Sequence, residues 1–360
     1  MIHCNLSANL SRAGQWFLQS GIQESNGGVA RYYRADLERN NPVSTEITGY
    51  SISTLIFLHT TDRNSRYLEA ARRAAAFLTR TAWPGDGDVM PFEIAPAEFA
   101  YFFDCGIVVR ALLAAWRAIG SDEYLDRAAA LGRAMARQFL SADGDYHPIL
   151  DLRTGLPVER DRTRWSRSAA CYQLKSAMAW WDLYEATGDD AFREPYLRVL
   201  EASLATHASF LPGHPDRLRV MDRLHAYAYF LEGLLPRTSD RRCAAALAEG
   251  IGRLAQFLNQ IAPQFERSDV YAQLLRIRLF ADWSGALPLD QEAGAAEAAK
   301  LAAFQAASAD PRIAGGFYFG RQGRQWLPYI NPVSTAFAVQ ALALWECRER
   351  GAQPHRHLLI

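Results

Sequence analysis

Two kinds of helical stretch alternate along the chain. Residues about 45–60 carry Ile47, Tyr50, Ile52, Leu55, Ile56 and Leu58, apolar on most faces, which predicts a helix buried all round. Residues about 63–80 instead place Leu68, Ala71, Ala75 and Leu78 on one stripe, with Arg63, Glu69, Arg72, Arg73 and Arg80 elsewhere. That helix should expose one side. The alternation recurs as 104–119 then 121–140, 168–186 then 190–207, 223–235 then 239–258, and 269–283 then 291–307. A last apolar stretch covers 333–346, and an amphipathic segment at 6–19 has no partner unless it pairs with that last one. Within pairs the turns are short and acidic (Thr61-Asp62, Gly120-Ser121-Asp122, Gly188-Asp189-Asp190), suited to capping the second helix.

Six buried and six amphipathic helices are an even count, which favours a closed ring over an open solenoid. The pentapeptide Asn41-Pro42-Val43-Ser44-Thr45 returns at Asn331-Pro332-Val333-Ser334-Thr335. Each copy follows a glycine pair (Gly27-Gly28, Gly315-Gly316) and an aromatic run, and each opens an apolar helix. The expected fold is therefore all-α, an (α/α)6 toroid over residues 1–350, followed by a loose tail at 351–360. Long Gly- and Pro-rich segments (21–44, 81–103, 141–167, 209–222, 260–268 and 308–332) fall only before the buried helices. Long loops in compact domains are usually functional, so one face should carry the site.

Composition narrows the function classes. Hydrophobic residues make up 49%, enough for a large core, and 39 basic side chains balance 39 acidic ones. Zero net charge argues against nucleic-acid binding. No stretch of 18 apolar residues is present, so no membrane insertion is expected. Five scattered cysteines (Cys4, Cys105, Cys171, Cys243, Cys347) form no C-x-x-C pair, which predicts neither a disulfide framework nor a zinc knuckle. With no signal-like start, a cytoplasmic location is expected. The histidines show no metal spacing, so neither a catalytic metal nor another cofactor is expected.

At this level the chain resembles the (α/α)6 toroids, the six-hairpin glycosidase class with its related lyases, epimerases and terpenoid cyclases. More narrowly, Gly27-Gly28-Val29-Ala30-Arg31 and the stretch Pro42-Val43-Ser44-Thr45-Glu46-Ile47-Thr48-Gly49-Tyr50 are similar to a pattern in bacterial toroid proteins encoded beside exopolysaccharide biosynthesis genes. The resemblance implies a saccharide ligand, polysaccharide-biosynthesis partners, and a substrate lying over the N-terminal ends of the inner helices. The D-x-D-D acid motif of terpenoid cyclisation is missing, since Asp86-Gly87-Asp88 and Asp189-Asp190 lie in turns.

Convergent helix N-termini select the same mouth. The acids there are Glu46, Asp104, Asp222 and Asp269. Glycoside hydrolysis needs two carboxyls roughly 5–10 Å apart, and Glu46 with Asp104, on neighbouring inner helices, is the first choice. Asp104, Asp222 and Asp269 also suit helix capping, and Glu46 dipole compensation. His225 is the histidine best placed as a general base, the alternative being a structural imidazole. A uronate lyase or sugar epimerase would use it, or a tyrosine, and a non-catalytic glycan-binding component of polysaccharide biosynthesis is the remaining alternative to a hydrolase. Aromatic faces suit sugar rings, and the expected binding set is Tyr33, Tyr50, Trp165, Arg167, Tyr172, Tyr227, Tyr271, Tyr329 and Asn331. Arg160, Arg162, Arg164 and Arg167 either bind a uronate or phosphate or form a solvated loop with Glu159 and Asp161.

Overall fold

The computed structural model describes residues 7–161, 164–348 and 353–360. In chain order the first six helices are α1 (Ala8–Gln19), α2 (Thr45–Asp62), α3 (Ser65–Ala76), α4 (Phe102–Ile119), α5 (Asp122–Gln138) and α6 (Gln173–Thr187). The second six are α7 (Asp190–Thr206), α8 (Arg217–Leu234), α9 (Arg241–Ile261), α10 (Ser268–Trp283), α11 (Gln291–Ala302) and α12 (Pro332–Cys347). Even-numbered helices form the inner ring, each packed on the next, and α12 returns to α2. Each inner helix carries its outer partner, and α1 packs on α12 as the unpartnered first segment required. This is the (α/α)6 toroid. Its seam is also stitched through the loops: Tyr329 and Ile330 pair antiparallel with Arg34 and Tyr33, and the Trp16 indole donates to the Arg312 carbonyl at 2.9 Å.

Inner helix α2 tolerates several polar residues because their hydroxyls are satisfied within the helix. In α2, Thr48, Ser51 and Thr54 are buried, and each donates to the carbonyl four residues back at 2.7–2.8 Å. The glycine pairs are a true structural repeat. Gly27 (φ +94°) and Gly315 (φ +87°) pass so close to an outer helix that an added Cβ would lie 2.4 Å from the Arg73 carbonyl oxygen and 2.6 Å from that of Arg12. Two residues on, the Val29 and Phe317 N–H groups donate to Thr48 Oγ1 and Thr335 Oγ1.

The repeated pentapeptide itself is out of register. Ser44 caps α2 by accepting from Ile47 N, whereas its counterpart as the cap of α12 is Asn331, accepting from Val333 N and Ser334 N. The first copy ends at its helix start; the second begins there. Two helix starts also differ from expectation by five or six residues. α8 starts at Arg217, capped by Asp216, six residues before the expected 223. α6 starts at Gln173 rather than 168, after a 3-10 turn over Trp165–Arg167.

The expected loose tail is instead a plug in the end of the ring opposite the mouth. Leu359 and Ile360 are 2% and 1% exposed. Lys175 Nζ donates to the Ile360 carbonyl oxygen at 2.9 Å, Arg110 to that of Leu359 at 2.9 Å, and Gln340 to that of Leu358 at 2.6 Å. Arg356 pairs with Asp182 and Glu185 on α6. Beneath the plug, Glu232 binds Lys175 (2.8 Å) and Arg276 (2.5 Å), all three fully buried. Burial alone would raise the Glu232 carboxyl, but Arg276 and Lys175 outweigh it and hold it below its ordinary range. Apolar periodicity cannot register such a segment, because its anchor is a set of charges drawn from several helices.

Cys347 is disulfide-bonded while Cys105, Cys171 and Cys243 are free thiols, so the cysteine pattern by itself is a weaker argument for a reducing location. No helix of the described residues is long and apolar enough to cross a membrane.

Candidate active site

The first turns of α2 and α4, the middle of α8 and the segments leading into α6 and α10 bring their side chains to one mouth, a cavity of about 540 Å³. Glu46 enters from the first turn of α2 and Asp104 from the first turn of α4. Neither carboxylate has a hydrogen bond or ion pair among the described residues, so Asp104 does not cap its helix. Burial raises the Glu46 carboxyl to about 7, with Arg31 opposing. Burial raises Asp104 well above the carboxylate range, and the charge of Glu46 adds to this. Two carboxyls sharing one partly desolvated cavity cannot both ionise cheaply. At neutral pH this pair holds a proton.

The opposite wall is a network of charges around His225. Arg267, just before α10, grips Asp269 through two bonds (3.0 and 2.6 Å) and Asp222 through one (2.7 Å). Asp269 is thus locked: burial would raise it, yet Arg267 and His225 together lower it. His225 Nδ1 lies 2.7 Å from Gln273 Oε1 and 3.4 Å from an Asp269 oxygen. Two acceptors on Nδ1 place the ring proton there and leave Nε2 with a free lone pair. Burial lowers His225 to about 4, against the pull of Asp269, so the ring is neutral at pH 7.

Aromatic rings make the remaining surface. Tyr229 packs edge-on to His225 at 4.5 Å, and its hydroxyl meets that of Tyr50 at 3.1 Å. Trp165 packs edge-on to Tyr172 at 5.0 Å, and both line the cavity with Phe92, Tyr101 and Phe103.

Of the residues expected at the site, Glu46, Asp104, Asp222, His225, Trp165 and Tyr172 line this cavity. Asp269 stands one layer behind as an ion-pair partner. Other binding candidates do not reach it. Tyr50 is 1% exposed and lies behind Tyr229. Tyr227 points to the outer ring, with its hydroxyl 3.1 Å from His207 Nδ1. Tyr271 donates to Glu266, Tyr33 lies buried with the Arg312 guanidinium over its ring, Tyr329 packs on Tyr32, and Asn331 is a helix cap. Arg167 is near enough to Tyr101 to act on its hydroxyl electrostatically but does not line the cavity. Arg162 lies outside the described residues. An inner helix presents only one face to the mouth, and neighbours, not period, decide which face.

Arg31, Phe103, Tyr229, Arg267 and Gln273 were not anticipated. Phe103 beside Asp104 and Tyr229 one turn after His225 could have been found by spacing; Arg31 and Arg267, on non-helical segments, carry no periodic signal. Among the described residues, one group could present metal ligands, Asp182, Glu185 and His357. It lies at the plugged end, where Arg110 and Arg356 already occupy the Asp182 carboxylate.

This fold is shared with known saccharide enzymes. A sugar epimerase from a ruminal bacterium superposes over 96% of this chain and 100% of its own, with a TM-score of 0.70 and 13% identity. An unsaturated glucuronyl hydrolase from Streptococcus agalactiae covers 95% of this chain and 93% of its own, with a TM-score of 0.65 and 12% identity. A family 76 glycoside hydrolase from a bovine Bacteroides thetaiotaomicron strain covers 95% and 78%, with a TM-score of 0.64 and 11% identity. The chain thus has the six-hairpin glycosidase-like toroid fold. No family model and no curated protein matches it.

Proposed function

We propose that the protein is a saccharide-active enzyme that cleaves a glycosidic bond with Glu46 and Asp104. The observation that carries this reading is the pair itself: two unpartnered carboxyls facing one cavity, both raised, one beside an arginine. Asp104, which keeps its proton at neutral pH, donates to the leaving glycosidic oxygen. Glu46, nearer Arg31, is the carboxylate that ionises and draws a proton from the attacking water or attacks directly. Trp165, Tyr172 and Tyr101 supply flat faces for the ring of the sugar.

The test is release of reducing ends from a panel of neutral and uronic oligosaccharides. Glu46→Gln and Asp104→Asn should each lower the rate by about 10²–10⁴-fold. Full activity in both variants would end the proposal.

A second reading is favoured by the free Nε2 of His225. A neutral imidazole with its proton fixed on Nδ1 is set up to abstract a proton from carbon, as an epimerase or uronate lyase requires. Incorporation of solvent deuterium into recovered sugar, lost in His225→Asn, would select it over hydrolysis. The resemblance of the Gly27–Tyr50 stretch to exopolysaccharide-linked proteins supports a place in polysaccharide production, to be checked by co-purification with assembly components.

A further inference from the structure

Beside the mouth lies a second opening of about 420 Å³, and Trp165, Ser166 and Asp222 belong to the walls of both. Its outer wall carries three arginines, Arg164, Arg219 and Arg223, with His214 and Asp161. Exposed arginines are usually solvated and paired, as Arg164 and Arg219 are, and Arg223 departs from that in a specific way. Arg223 is half-buried and built into place. Its Nε and Nη2 both donate to the Phe210 carbonyl (2.9 and 2.6 Å), and its guanidinium lies 4.1 Å from the centre of the Phe210 ring. Gly213 closes over it at φ +62°, where an added Cβ would come within 2.2 Å of the guanidinium. Its charge is paired with no carboxylate among the described residues.

The neighbouring arginines are ion-paired only at long range, which leaves their N–H donors open to a ligand. Arg219 is 3.9 Å from Asp216, beyond hydrogen-bond reach. His214 Nδ1 accepts the Asp216 N–H, so Nε2 carries the ring proton and cannot accept from Arg219 at 3.3 Å. Arg164 stands 3.8 Å from Asp161. The carboxylate of Asp222, on the shared wall, is held by Arg267 at 2.7 Å.

We infer that this opening is an oxyanion subsite, taking the carboxylate, sulfate or phosphate group of a sugar unit adjoining the one in the mouth. Guanidinium forks bind such groups through paired N–H bonds. Trp165, on the wall common to both cavities, separates the two units. The substrate is then an anionic oligosaccharide rather than a neutral monosaccharide. This deepens the saccharide reading and rests on it for the sugar, though not for the oxyanion.

The experiment uses the full chain and disaccharides that differ only in the terminal C6 group: hydroxymethyl, carboxylate, sulfate or phosphate. Calorimetric titration should show at least about tenfold tighter binding of one anionic form than of the neutral one. That ratio should collapse in Arg219→Ala, an exposed position safe for folding, and in Arg223→Met. Which anion binds best identifies the source of the charge. Equal binding of neutral and anionic forms overturns the subsite. Should no disaccharide bind, inorganic sulfate is titrated while Trp165 fluorescence is followed against Trp165→Phe. Saturable sulfate binding lost in Arg219→Ala upholds the oxyanion site while the saccharide reading fails; no saturable binding overturns the site.

Discussion

If Glu46 and Asp104 are kept for chemistry, they should cost the fold stability, and the cost should depend on pH. Burial raises the folded Glu46 carboxyl from 4.5 to about 7. The folded protein therefore binds this proton more tightly than the unfolded chain does. The penalty is complete above about pH 7, shrinks as pH falls, and vanishes below 4.5. The displacement from 4.5 to about 7 corresponds to a ceiling of about 3 kcal/mol at roughly 1.4 kcal/mol per tenfold step. Water in the open cavity screens it, leaving about 1–2 kcal/mol. Glu46→Gln should thus stabilise the protein at pH 8 by about 1–3 °C in Tm, given the unfolding entropy of a chain this long. At pH 5 most of the gain should be gone. Asp104→Asn should act in the same direction. The double variant should gain less than the sum, because the charge of Glu46 is part of what raises Asp104. Differential scanning calorimetry at pH 5 and 8 decides it. A variant less stable than the parent at pH 8, or a gain that grows as pH falls, would refute the electrostatic account of the pair.

Three further outcomes follow from the packing. Arg276→Met strands the buried Glu232 carboxylate with Lys175 as its remaining ion-pair partner, and should cost about 3–5 kcal/mol in a urea titration. Deleting residues 355–360 removes the acceptors of Lys175 and Arg110 and should lower Tm at neutral pH while leaving helical circular dichroism in place; an unchanged Tm would show the plug to be dispensable. Gly27→Ala drives a Cβ into the Arg73 carbonyl and should destabilise by about 2–4 kcal/mol, whereas Gly252→Ala, exposed in α9 with open space around it, should stabilise by about 0.5–1 kcal/mol, both read by chemical denaturation.

The ring was legible because its cause is local and repeated. An inner helix must be apolar on every face and an outer helix on one, so counting such stretches as they alternate gives both layers, and α1 left over predicts the closure against α12. The first-turn positions of Glu46 and Asp104 likewise follow from helix starts, whereas His225, expected near the start of its helix, lies midway along α8 because that helix begins at Arg217. What only the tertiary structure decided is which side chains share a space. Asp269 and Asp222 look equivalent to Glu46 and Asp104 along the chain, yet Arg267, from a segment without period, neutralises the first two and leaves the other pair unpartnered. Tyr50 and Tyr227 were turned from the mouth by neighbours distant in sequence, and the charged tail found its place in the ring through Lys175, Arg110 and Asp182. Hydrophobic period is written residue by residue, whereas charge pairing depends on distances that exist only once the chain has closed.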